Sequence, residues 1–137
     1  MASILTYLDS GVLIAAFRGN DLVSTQANFI LDDSSRYFCS SNFVGLEILT
    51  KAKYHKQIEE INFYELFFAS CQIWAEDLNI ILALAESLAS QYGLNALDAL
   101  QIASAISIKA DEFITTEKPT KPLHRVTDIK VTSLITI

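Results

Sequence analysis

A chain of 137 residues is long enough to bury one real core and too short to divide sensibly, so a single domain over residues 1–137 is expected. Its composition, 51% hydrophobic with a mean hydropathy of +0.32, requires elements buried on more than one side, which points to layered packing. A formal charge of −6 excludes a polyanionic partner only if the charges are evenly spread, so where the acids and bases fall matters more than their sum.

Residues 4–8, ILTYL, are short, apolar and partly β-favouring, and a turn signal follows, so they read as a strand. SGVLIAAF then begins a helix with Asp9 or Ser10 as its cap and GND as its close. A second helix covers about 22–31 and ends at DDSS, and RYFCSS forms the second strand. In NFVGLEILTKAKYHK the apolar residues Phe43, Leu46, Leu49 and Ala52 fall at helical spacing, and IEEINFYELFFAS is another helical pattern. QIWAE is a short strand. DLNIILALAESLASQYG is a helix capped by Asp77 and stopped by Gly93, and NALDALQIASAISIKAD repeats the pattern with Asn95 as cap. The strand EFITT follows, the two prolines of EKPTKPLHR mark a loop, and KVTSLI closes the chain as a strand.

Strands alternating with helices make βαβ units, hence a mainly parallel sheet with helices on both faces. The apolar stretches are interrupted well before the roughly 18 to 20 residues of a membrane span. The N-terminus carries no basic region followed by an apolar block and a cleavage site, so a cytoplasmic protein without membrane attachment is expected. Cys39 and Cys71 lie in apolar surroundings without metal-site spacing and read as buried free thiols. Phe63, Tyr64, Phe67, Phe68 and Trp74 read as core or as a subunit interface.

Four acids border apolar elements: Asp9 after the first strand, Glu47 in NFVGLEIL, Asp98 in NALDALQIA, and Glu117 after FITT. Singly, each has a structural explanation. Asp9 caps a helix, Glu47 pairs with Lys51 one turn on, Asp98 favours the helix dipole, and Glu117 is a solvated loop residue. Together they bear on one another, because a parallel sheet brings the carboxyl ends of its strands to one edge, where ligands gather. Crowded carboxylates there repel unless a cation compensates them, and hard oxygen ligands select Mg²⁺ or Mn²⁺.

YLDSGVLIAAF with Asp9, EIL with Glu47, ALDALQIASAI with Asp98 and DEFITTE with Glu117 resemble, in order and spacing, the four motif regions of the PIN domain. The most specific segment is LDALQIASAI, and the resemblance covers nearly the whole chain. It implies a three-layer α/β/α sandwich with a central, mainly parallel sheet, and a metal-dependent ribonuclease most similar to the VapC-type toxins of toxin–antitoxin pairs. Carried over by position, Asp9, Glu47, Asp98 and Glu117 are the catalytic, metal-binding acids, and Thr115 matches the family's hydroxyl residue. The departure is Glu117, where the family more often has Asp. The resemblance also implies a cognate antitoxin protein and a homodimer.

Such residues support phosphodiester hydrolysis by metal-activated water, with Ser10 and Thr115 donating hydroxyl hydrogen bonds to the ligands. Two basic groups each follow a proposed ligand: Lys51, Lys53 and Lys56 with His55, and Lys118, Lys121 and Arg125 with His124. They are candidate RNA contacts, and equally a solvated helix end and loop. A haloacid-dehalogenase-like phosphatase needs a second aspartate where this chain has Gly11, and a receiver domain needs an acidic pair beside its first strand. The serious alternative is a PIN-like scaffold with weakened chemistry that binds a protein.

Overall fold

The computed structural model describes residues 2–135. β1 (Ile4–Leu8) leads into α1 (Ser10–Arg18) and α2 (Leu22–Leu31), and β2 (Arg36–Ser41) runs directly into a broken helix. That helix consists of α3 (Asn42–Val44), a π turn over Gly45–Leu49, and α4 (Thr50–Tyr54). Then come α5 (Ile58–Ser70), β3 (Ile73–Ala75), α6 (Leu78–Tyr92), α7 (Ala96–Ser107), β4 (Glu112–Thr115), a 3₁₀ turn at Pro122–Arg125, and β5 (Lys130–Ser133).

The strands form one sheet in the order β3-β2-β1-β4-β5, and every neighbouring pair is parallel. β1 lies at its centre with Thr6 opposite Phe38 of β2 and Glu112 of β4. Its residues Leu5 to Leu8 are all buried, as are all four of β4, because helices cover both faces of a parallel sheet. The crossovers through α1 to α5 carry the chain outward from β1 to β3, and α6 and α7 return it past β1 to β4. With right-handed crossovers the two helix groups take opposite faces, giving the expected α/β/α layers. The reversal of direction opens a crevice beyond the carboxyl ends of β1 and β4.

Several local signals act as their chemistry predicts. Asp77 accepts a hydrogen bond from Ile80 N–H, and Gly93 ends α6 in the left-handed region at φ 72°, donating its N–H to Ala89 O. The strands are shorter than expected by one or two residues, since EFITT pairs only through Thr115 and KVTSLI only through Ser133. The helix expected over NFVGLEILTKAKYHK is interrupted. Thr50 N–H reaches back to Gly45 O, five residues away, and the bulge carries Glu47.

The amino ends of the strands are tied by charge. Glu112 Oε2 accepts from Thr6 Oγ1 at 2.6 Å and from Arg36 Nε at 2.7 Å, and Arg36 Nη1 also donates to Asp33 Oδ2 at 2.6 Å. Between the layers, Tyr7 stacks on Phe113 with ring centroids 5.3 Å apart, and its hydroxyl bonds Ser41 Oγ at 2.7 Å.

Candidate active site

Asp9 stands at the N-cap position of α1, but its side chain makes no capping bond. Its backbone N–H donates to Ile114 O at 2.9 Å, extending the β1–β4 ladder by one rung. Its carboxylate is held from the neighbouring strand instead: Thr115 Oγ1 donates to Asp9 Oδ2 at 2.8 Å, and Thr115 Oγ1 itself accepts from Glu117 N–H at 3.0 Å. Burial pushes the Asp9 pKa up to about 6, the Thr115 hydrogen bond opposes that rise, and the charges of Asp98 and Glu47 add to it. The capping explanation of Asp9 therefore gives way to a buried acid facing other acids.

Glu47 projects from the π turn and is half-buried. Its partner is not Lys51, since no Glu47–Lys51 ion pair forms. Gln101 Nε2 of α7 donates to Glu47 Oε1 and to Ser10 Oγ, each at 3.2 Å. Asp98 occupies the third position of α7, where its N–H donates to Asn95 Oδ1 at 2.8 Å and its Oδ2 accepts from Asn95 Nδ2 at 3.1 Å. Partial burial raises the Asp98 carboxyl, and the charges of Glu117 and Glu47 push it further the same way, while the Asn95 bond opposes them.

Asp9, Glu47, Asp98 and Glu117 line one pocket of about 290 Å³ at the crevice, together with Ser10 and Lys51. Gly11 lets α1 approach the end of β4, since a Cβ there would overlap Thr116 Oγ1. The pocket also holds Arg18 and Glu60, which the sequence pattern did not single out, and Tyr64, which it read only as core or interface. Arg18 Nη2 and Glu60 Oε2 lie 2.9 Å apart, and Tyr64 Oη donates to Glu60 Oε2 at 2.6 Å. Arg18 and Glu60 carry no motif, and their 42-residue separation leaves no local signal for the pair.

Among the described residues, no three acid, His or Cys side chains form a ready-made ion cage; the four acids share a pocket rather than a point. The donor set nevertheless suits a hard divalent cation, because every donor is a carboxylate oxygen and two of the acids resist ionisation beside the others. Gln101 Oε1, buried at 1% exposure and without a partner among the described residues, is a further unsatisfied oxygen beside Glu47.

Of the six basic residues expected at RNA, Lys51 is the one that lines the pocket. Lys53 lines a separate groove with Leu46, Phe68 and Trp74. Lys56, Lys118 and Lys121 are exposed, and Arg125 Nη1 donates to Tyr92 O at the end of α6. His124 Nε2 lies 3.0 Å from Glu117 O and anchors the loop. Tyr64 and Phe67 are core, while Phe68 and Trp74 meet edge to face at the groove. Cys39 is buried and Cys71 only partly so, and both are free.

The family model described as PIN domain matches residues 6–119, the segment that contains all four acids. The chain belongs to the PIN domain family. No curated protein sequence matches it. Among solved structures, this PIN domain resembles a chain of the DNA-bound VapBC of Salmonella typhimurium, with a TM-score of 0.71 and 14% identity over 97% of this chain and 100% of that one. A toxin-antitoxin complex from Klebsiella pneumoniae gives a TM-score of 0.69 at 20% identity, covering 98% and 100%. VapBC-1 from nontypeable Haemophilus influenzae gives 0.70 at 17% identity, covering 96% and 98%. At these identities the likeness establishes the fold.

Proposed function

We propose that this PIN domain is a Mg²⁺- or Mn²⁺-dependent endoribonuclease of the VapC type, hydrolysing RNA phosphodiester bonds at the four-acid pocket. The observation that carries the reading is that four acids from four separate segments of the chain line one pocket at the reversal point of the sheet. A purely structural role leaves this unexplained, because burying carboxylates and gathering them together destabilises the fold, as the raised Asp9 and Asp98 carboxyls express.

Asp9, Asp98 and Glu47 would hold the ion, with Glu117 available to a second. When bound, such an ion lowers the pKa of a water molecule and neutralises charge on the phosphoryl oxygens. The chain's own contribution is position. Thr115 holds Asp9 from β4, Gln101 holds Glu47 while bonding Ser10, and Asn95 holds Asp98, so these three carboxylates enter the pocket already oriented. Lys51, on the pocket wall, supplies positive charge to an incoming phosphate.

The complexes named for the neighbouring structures support an antitoxin partner for this chain as well, and a homodimer is part of the same proposal. Among the described residues no helix is long and apolar enough to cross a membrane; a cytoplasmic setting is part of the same proposal.

Calorimetric titration of Mn²⁺ into the wild-type protein and into the Asp9→Asn, Asp98→Asn double variant tests the reading. Binding to the wild type, its loss in the double variant, and metal-dependent cleavage of RNA are the expected results. No binding at millimolar Mn²⁺ would overturn the metal nuclease and leave a PIN scaffold that binds protein.

A further inference from the structure

The pocket contains an arginine that neither the four acids nor the basic clusters explain. Arg18, the last residue of α1, uses one edge of its guanidinium on Glu60 of α5. Nε donates to Oε1 at 3.3 Å, and Nη2 donates to Oε1 at 3.1 Å and to Oε2 at 2.9 Å. Tyr64 Oη donates to the same carboxylate at 2.6 Å. Glu60 is 5% exposed and Tyr64 fully buried, whereas the Arg18 side chain is 58% exposed. The anchor is inside and the guanidinium is at the surface.

Burying a carboxylate in this way is expensive, and a well-packed apolar pair would tie α1 to α5 at no such cost. What the charged pair provides is a guanidinium fixed in plane. Bidentate docking uses Nε and Nη2 and leaves Nη1 with no partner among the described residues, so the fork retains donors for an anion. Its location matches that use. Arg18 lines the four-acid pocket and an adjoining pocket of about 450 Å³, and the two share Gly11, Ile14 and Thr116 along with it. A polymer entering the first pocket passes Arg18 to reach the second.

We infer that Arg18 binds a backbone phosphate of single-stranded RNA next to the four-acid pocket, with Glu60 and Tyr64 as positioning residues that hold its guanidinium edge-on. The inference rests on the nuclease reading for the identity of the ligand. The contact is to phosphate, so it sets affinity without selecting sequence.

The test is fluorescence anisotropy of a short, labelled, mixed-sequence single-stranded RNA titrated with the full-length protein across a salt series, with Mn²⁺ calorimetry on the same samples. Arg18→Ala should weaken RNA binding about tenfold and flatten the slope of log K against log salt by about 0.7, the loss of one phosphate contact on a single strand. Its Mn²⁺ binding should be retained, and circular dichroism should show that it folds. Arg18→Lys should restore the salt slope but not the full affinity, because a point charge replaces the fork.

Glu60→Gln separates positioning from bulk charge. Removing a negative charge beside the pocket strengthens polyanion binding if only charge matters, whereas loss of the clamp weakens it. Weaker binding is expected, with Tyr64→Phe affecting affinity in the same direction and circular dichroism reporting that both variants fold. Wild-type affinity in Arg18→Ala, or tighter binding in Glu60→Gln, would overturn the inference. A wild type that binds RNA but no Mn²⁺ would sink the nuclease reading alone and leave Arg18 to be judged on RNA binding. A wild type that binds no RNA would overturn the Arg18 contact itself.

Discussion

Replacing Asp9 by Asn should make the metal-free protein more stable at neutral pH. Asp9 is 9% exposed, and its carboxyl is pushed from an ordinary 3.8 to about 6, first by burial and then by Asp98 and Glu47. A rise of that size means that the folded state disfavours the charged form by about 3 kcal/mol. The direction with pH follows. Below about pH 4 the carboxyl is protonated folded and unfolded, so the penalty is absent; it develops as pH rises and is complete above about pH 6. Asn is nearly isosteric, carries no charge, and keeps an oxygen to accept the Thr115 hydrogen bond. In a chelator-containing buffer, thermal unfolding should therefore show the variant melting on the order of 10 °C above wild type at about pH 7, with the gap closing toward about pH 4. Saturating Mn²⁺ should reverse the order by stabilising wild type alone, by about 4.1 kcal/mol at a thousand times Kd. A variant no more stable than wild type at neutral pH, or a gap that does not change with pH, would refute the claim that Asp9 is a buried acid under repulsion.

Thr115→Val removes the donor to Asp9 Oδ2 and the acceptor for Glu117 N–H while preserving shape. It should cost about 1–3 kcal/mol in urea unfolding and move the onset of Mn²⁺ binding to higher pH, because the bond it removes favours the charged form of Asp9. Binding with an unshifted pH onset would count against the coupling. At the opposite end of the sheet, Arg36→Met leaves Glu112, whose side chain is 7% exposed, buried with Thr6 as its one side-chain donor among the described residues. The expected cost is about 3–5 kcal/mol by urea unfolding, and a loss under about 1 kcal/mol would show that Glu112 finds solvent instead.

The layered parallel architecture was legible in the sequence because its signals are local. The apolar runs at ILTYL and RYFCSS, the caps at Asp77 and Asn95 and the stop at Gly93 act through neighbours within a turn or two, and each does in the fold what its chemistry predicts. The four acids were legible too, since each lies where an apolar element begins or ends, and the resemblance of their surroundings to PIN motifs set them in order. The bulge beneath Glu47 was not, because the apolar spacing of NFVGLEILTKAKYHK suits an unbroken helix just as well.

What Asp9 does was beyond local reading. A cap and a buried acid have the same sequence context, and the difference is the Thr115 hydroxyl, 106 residues away, brought alongside by the β1–β4 pairing. The same holds for the bases. Lys51 and Lys53 are two residues apart on one helix, and that turn of about 200° sends one to the acidic pocket and the other to the apolar groove. Arg18 and Glu60 meet only because α1 packs against α5. Sequence alone determined which elements form and which acids and bases stand beside them; the tertiary structure decided which of these share a pocket, because that depends on contacts whose partners are distant along the chain.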